Sequence, residues 1–315
     1  MAIRPADHGI FASQGGFVYA EAVYFAGGDV TEGSATASVD KIAFSNDSRT
    51  TLDTGLSAAT AQLTGAANSG TAAYFGGGTT GSLVTTVDKF TFADDLRTTL
   101  GTGLSVARRG LAGAANSGTA GYFGGGYATG LVATVDKFAF SDDSRTTLGT
   151  GLSSARMELA AAANSGTAGY WAGGYAAPDV TTVDKFAFSD DSRTTLGTGL
   201  SAATEGLMGA ANSGTAAYFA GGYSGGAVDT VDKFAFSDDS RTTLGTGLSA
   251  ARRRGAAGAN SGTAAYFGGG WEDALPASVT TVDKFAFSND SRTTLGTGLS
   301  STRYLLGGAA NSGTL

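Results

Sequence analysis

The sequence predicts an all-β fold in which six four-stranded antiparallel sheets stand radially around one axis. Three observations predict it. The triplet VDK begins at Val39, Val87, Val135, Val183, Val231 and Val282, at spacings of 48, 48, 48, 48 and 51 residues, and a period of this length marks an array of supersecondary units rather than six domains. Turn signals divide each unit into four short strand candidates, an antiparallel meander. The last unit stops after LLGGAANSGTL, whereas the first lacks its opening strand, so the two incomplete ends complement each other. Four-stranded sheets repeated radially are the blades of a β-propeller, and this one is expected to close by the C-terminal strand pairing into the first blade. A β-solenoid is the rival architecture, but its coils are usually shorter and lack these hairpin turns.

Residues 111 to 152 show the elements in order: LAGAAN, TAGYFGG, TVDKFAF and RTTLGTGL. The first is Ala and Gly, as required where blades crowd around an axis. In the following NSGT turn, Gly supplies the positive φ of a tight hairpin and Asn bonds its own backbone. Alternation in the third strand puts Asp136, Phe138 and Phe140 on one side and Val135, Lys137 and Ala139 on the other, with the Phe pair filling a widening wedge. SDDSR is a slightly longer turn built on Asx and Ser chemistry. The Thr-rich fourth element suits an exposed outer edge. In the first unit, strands like the second, third and fourth run from Ala22 to Leu56, while SQGGFVYAE replaces LAGAANSGT. The expected organisation is therefore a propeller over residues 20–315 and an N-terminal arm over residues 1–19 that leaves the ring to dock on a partner.

Composition excludes several classes. With 42% apolar residues the chain is globular, and 51 Gly beside 3 Pro without a triplet period is not collagen. The absence of Cys removes disulfides, thiolate metal sites and cysteine nucleophiles. No run approaches the length of a membrane span, and MAIRPADHGIFASQGGF lacks the apolar stretch of a signal peptide, so release in the cytoplasm without membrane insertion is expected. A net charge of -7 argues against a nucleic-acid groove. His8 is the single histidine and sits in the arm, which removes a Ser-His-Asp triad and histidine metal centres. The GGG runs precede no helix and no Lys-Ser or Lys-Thr, so they are not phosphate loops. Glu158, Glu205 and Glu272 are not paired at a definable distance. The chain reads as non-catalytic, with no cofactor and no metal.

Each blade resembles the kelch repeat. The carriers are a Gly doublet after an aromatic residue, YFGG at Tyr122 to Gly125, and an Arg near the start of the innermost strand, at Arg108, Arg156, Arg252 and Arg303. Thr60 and Thr204 depart from the pattern, and TTLGTGL stands where kelch blades usually carry an outer-strand Trp. The resemblance covers residues 20–315 and implies a structural role for these arginines. The activity of kelch-type copper oxidases does not carry over, because it needs a Cys-linked Tyr. The near-identical Gly-rich units also look like those of virion proteins of tailed bacteriophages. That likeness implies a tail or capsid-associated virion component, made in the host cytoplasm, attached to other virion proteins through its arm and facing a host-surface glycan or protein; the alternative readings are a carbohydrate-binding lectin-like propeller and an intracellular protein-interaction adaptor.

The units differ from one another mainly on one side. Alternating strand direction puts the NSGT and SDDSR turns on one face of the disc, where they hardly vary. The opposite face carries DVTEGSATAS at 29, TTGSLVTT at 79, YATGLVAT at 127, YAAPDVTT at 175, YSGGAVDT at 223 and WEDALPASVTT at 271. Loops drift anywhere, yet the opposite turns have not, so the variable face is the expected recognition surface. Tyr127, Tyr175, Tyr223 and Trp271 share one position there as candidate stacking platforms, a ring interrupted by Asp29 and Thr79. Packing of each aromatic ring against its own loop is the plainer reading. Arg108, Arg109, Arg156, Arg252, Arg253, Arg254 and Arg303 are expected near the axis on that face, as fork-shaped donors to carboxylate or phosphate groups. Structural pairing, with Glu158, Glu205 or backbone carbonyls, is favoured over ligand binding. The Asp-Asp and Asn-Asp pairs read as turn residues rather than calcium ligands, and the Asp and Lys of VDK as structural contacts with no ligand.

Overall fold

Local turn chemistry and period-two alternation bring the four strands of the third blade together as Ala112–Asn116, Ala120–Gly124, Val135–Ala139 and Arg145–Thr147, hydrogen-bonded in sequential antiparallel order. The computed structural model describes residues 21–274 and 277–311 and repeats this sheet six times in a ring. The protein is a six-bladed β-propeller. Its first blade is composite: Gly307–Asn311 pairs with Ala22–Ala26, with Ala22 opposite Asn311 and Ala26 opposite Gly307. This closure is the one expected from the two incomplete ends. The arm over residues 1–19 lies outside the described residues.

Small residues at the axis have a direct cause. A Cβ at Gly65 or Gly113 would press onto the carbonyl of the preceding inner strand, at Gly308 and Gly65 respectively. The fourth strand is shorter than its sequence suggests, covering Arg145–Thr147 rather than RTTLGTGL. After Thr147 the chain turns inward, Leu152 is buried, and its N–H donates to the Ala133 carbonyl at 2.8 Å. A short outer edge offers little unpaired backbone to other chains.

Both faces of every sheet are covered, so the hydrophobic core is six inter-blade layers. Tyr122 packs with Val135, Leu152, Trp171 and Phe186 on one side of the third blade, while Phe123 packs with Tyr74, Val87 and Phe138 on the other. Phe123 and Phe138 meet edge to face with centroids 5.6 Å apart, and Tyr122 stacks on Phe188 of the next blade at 5.1 Å. Both arrangements suit the aromatic quadrupole.

Polar staples tie blade to blade outside these layers. The Asp at the second position of the Asp-Asp or Asn-Asp pair in each SDDSR-type turn takes a left-handed φ of 55 to 57° and faces back across the interface. Lys137 and Tyr122 donate to Asp191 at 2.8 and 2.9 Å, and Lys284 and Tyr266 donate to Asp47 at 2.9 and 2.8 Å. Equivalent ion pairs at Asp95, Asp143, Asp239 and Asp290 complete a closed circuit. The expectation that VDK makes structural contacts holds. The acidic pairs are turn residues as expected, and they have this second role besides.

Candidate functional site

The variable face is organised as concentric rings around the axis. Innermost are Gln62, Gly110, Glu158, Gly206, Arg254 and Leu305, all at left-handed φ between 53 and 63°. Each backbone N–H donates to the carbonyl of the preceding member at 2.6 to 2.9 Å, with Gln62 donating to Leu305, so the hydrogen bonds form a closed circle. Beneath it lies a lumen cavity of about 100 Å³ lined by inner-strand Gly and Ala and by the Leu residues just before those strands. The opposite mouth, of about 150 Å³, is rimmed by Ser69, Ser117, Ser165, Ser213 and Ser261.

Around that circle, the connecting segments pair with the variable loops. Arg109, Met157, Glu205 and Arg253 form antiparallel bridges with Tyr127, Tyr175, Tyr223 and Trp271. The shared aromatic position therefore does surround the axis. Arg109 lies over the Tyr127 ring at 5.6 Å and Arg253 over the Tyr223 ring at 4.6 Å, both cation–π contacts, and Trp271 meets Tyr304 at 5.2 Å. Tyr175 is the most exposed aromatic side chain among the described residues, at 37%.

Where Asp29 and Thr79 interrupt the aromatic ring, a cavity of about 360 Å³ opens beside the axis. Its wall carries Asp29, Glu32, Gln62, Arg109, Arg254 and Tyr304. Burial pushes the Asp29 carboxyl above its usual range, as does the nearby Glu32 charge, against a backbone hydrogen bond from Gly33. Across the axis, Arg254 donates to Glu158 at 2.7 Å and lies 3.8 Å from Glu205. Burial raises Glu205, and the charges of Glu158 and Asp179 add to the rise. The pocket therefore offers mixed charge beside aromatic surface.

Arg108, Arg156, Arg252 and Arg303 are not part of this surface. All four are fully buried, and each pairs with the Asp of VDK in the blade it introduces: Asp136, Asp184, Asp283 and Asp40. Arg108 also donates to the Phe123 carbonyl at 3.0 Å. The expected cluster thus divides, leaving Arg109, Arg253 and Arg254 at the face. The structural reading of the buried four holds, with Asp rather than Glu158 or Glu205 as the acidic partner. Among the described residues no group of three or more acidic or histidine side chains is arranged to hold a metal ion.

No family model and no curated sequence matches the chain.

Proposed function

We propose that this propeller is a non-catalytic binding protein, a tail or capsid-associated component of a bacteriophage particle, whose variable face contacts a host-surface glycan or protein. One observation carries the binding role. Strands and turns are nearly constant from blade to blade, while the differences collect around the axis on one face, where a cavity of about 360 Å³ sits among aromatic and charged side chains. The virion assignment rests on the likeness of the repeats to those of phage structural proteins, and docking through residues 1–19 belongs to the same reading. A free carbohydrate-binding lectin is the second reading, favoured by the exposed Tyr175 ring.

The test is to challenge labelled protein with a glycan array and with candidate bacterial cells. Wild-type protein is expected to bind one surface class. Tyr175→Ser and a Thr79→Tyr variant, which crowds the axial cavity, are expected to lose at least tenfold in binding while keeping the wild-type melting temperature. Unaltered binding by both variants would move the contact elsewhere. Immunolabelled electron microscopy of phage particles separates the virion component from the free lectin.

A further inference from the structure

Six copies of one interface are an internal comparison, and two of them lack a cation the others share. In four blades the arginine at the start of the inner strand fills a slot under the loop connection. Arg108 donates to Asp136 Oδ2 at 2.9 Å and to the Phe123 carbonyl at 3.0 Å, and Arg252 repeats both contacts with Asp283 and Phe267 at 2.8 and 3.1 Å. Arg303 reaches the carbonyls of Gly27 and Ser38 besides Asp40. In the fifth blade the corresponding groups are Asp232, Phe219, Gly221 and Thr230, and the residue at the arginine position is Thr204.

Those same groups line a cavity of about 100 Å³. The Thr204 hydroxyl turns away and donates to the Ala202 carbonyl at 2.9 Å. Asp232 is only 4% exposed yet keeps its place, accepting from the Ser201 N–H and hydroxyl at 2.7 and 2.8 Å and from Thr243 at 2.6 Å. Among the described residues the cation paired with it is Arg241, whose Nε lies 3.8 Å from Oδ1, whereas Arg108 and Arg252 engage Oδ2 of Asp136 and Asp283. Ser201 and Ala202, both exposed, form part of the cavity wall and give it a route to solvent.

We propose that this cavity is a binding site for a guanidinium group, delivered by a small guanidinium compound or by an arginine side chain of a peptide. The planar cation meets the carboxylate of Asp232 and the carbonyl of Phe219 in the arrangement that Arg108 and Arg252 make from within the chain. A planar fork of N–H donors matches that pair of acceptors in a fixed geometry, whereas an ammonium is a compact, more strongly hydrated charge whose donors are not held in one plane. Thr60 makes the same exchange beside Asp88, also 4% exposed, in the second blade. The site is independent of the axial surface and of any role assigned to it.

The experiment uses the full chain with methylguanidinium chloride at about 10 mM, where the general denaturing action of guanidinium is slight, against potassium chloride at equal ionic strength. Crystals soaked in the compound are expected to show a planar group within hydrogen-bonding distance of Asp232 Oδ2 and Phe219 O. The melting temperature is expected to rise by about 2 °C. Thr204→Arg, which supplies the missing cation, is expected to remove the bound group, and Thr204→Val, which leaves the slot open, to retain it. A peptide acetyl-Gly-Arg-Gly-amide then separates the sources: tighter binding than methylguanidinium indicates a peptide-borne arginine, and weaker binding indicates a small compound. Soaked crystals with only water beside Asp232, or a bound group that persists there in Thr204→Arg, would overturn the proposal.

Discussion

Asp136 shows how one side chain joins three parts of an interface. Its carboxylate accepts from Arg108, from the Ser105 N–H and hydroxyl, and from Thr147. Burial alone would raise its pKa, but the hydrogen bonds from Ser105 and Thr147 and the Arg108 charge outweigh that, holding the group below the ordinary carboxylate range. Asp184 and Asp283 behave alike. Because these folded-state values are depressed, their stabilisation is present above the unfolded pKa of about 4 and is lost as pH falls through the lower folded value. Acid unfolding is therefore expected below about pH 4. Tyr122, Tyr170 and Tyr266 work in the opposite direction: burial first, and hydrogen bonding to an Asp, push them up to about 12. Their contribution is complete below the unfolded value of about 10 and disappears as pH rises through about 12. Denaturant melts across pH, with tyrosinate absorbance followed in parallel, check both limbs. Asp136→Asn leaves Arg108 buried without its counter-ion and is expected to destabilise by about 3 to 5 kcal/mol in urea unfolding. The arginine positions and their backbone-carbonyl contacts were legible in the sequence, but their acidic partner was not. Asp stands in all six units and Arg in only four, so recurrence does not link them, and the spacing of 28 residues between Arg108 and Asp136 has meaning only once the strands of one blade lie side by side.

Among the elements, the turns and the first three strands of each blade followed from the sequence, because Asn-Ser-Gly-Thr and the alternating Phe residues act locally. The outer strand followed in its place but not in its length. Its length is set by where Leu152 and its equivalents find a hydrophobic layer, which depends on the neighbouring sheet. The axial circle of carbonyls was illegible for another reason: Gln, Gly, Glu, Gly, Arg and Leu have no side-chain property in common, and only the backbone conformation unites them. That conformation is unfavourable for a residue with a Cβ. Gln62→Gly is therefore expected to stabilise the protein by about 0.5 to 1 kcal/mol after the entropic cost of glycine is subtracted, read as a higher denaturant midpoint at unchanged slope. A midpoint that fell would show that the Gln62 side chain makes contacts worth more than the strain. The aromatic position on the variable loops was found from its recurrence. The axial cavity was not, since it arises where Asp29 and Thr79 break the pattern and where Tyr304 and Arg254 arrive from other units.

For the whole molecule, closure decides everything, and it was visible in the sequence as two unfinished ends. Deleting residues 307–315 uncovers the inner edge of Ala22–Ala26 and one of the six hydrophobic layers. The truncated chain is expected to lose its single cooperative melt and to associate through that edge, as sedimentation and calorimetry would reveal. Opening the ring instead in the exposed turn at Gly225, with the natural ends joined by a flexible linker, keeps every strand pair and is expected to preserve the fold. Pairing Ala22 with Asn311 also governs how the chain comes together, since nearly the entire described polypeptide lies between the two partners and such distant contacts form slowly. Until they form, Ala22–Ala26 has other suitors: Thr64–Asn68, Ala112–Asn116 and Met208–Asn212 end in the same Ala-Ala-Asn as Gly307–Asn311. Taking one of these would produce a smaller circle with stranded units, or a molecule stitched to its neighbour. Gly307–Asn311 is the last of the six inner strands to be made, so the correct count depends on each earlier copy being claimed first by the strand that follows it, as Thr64–Asn68 is by Ala72–Gly76.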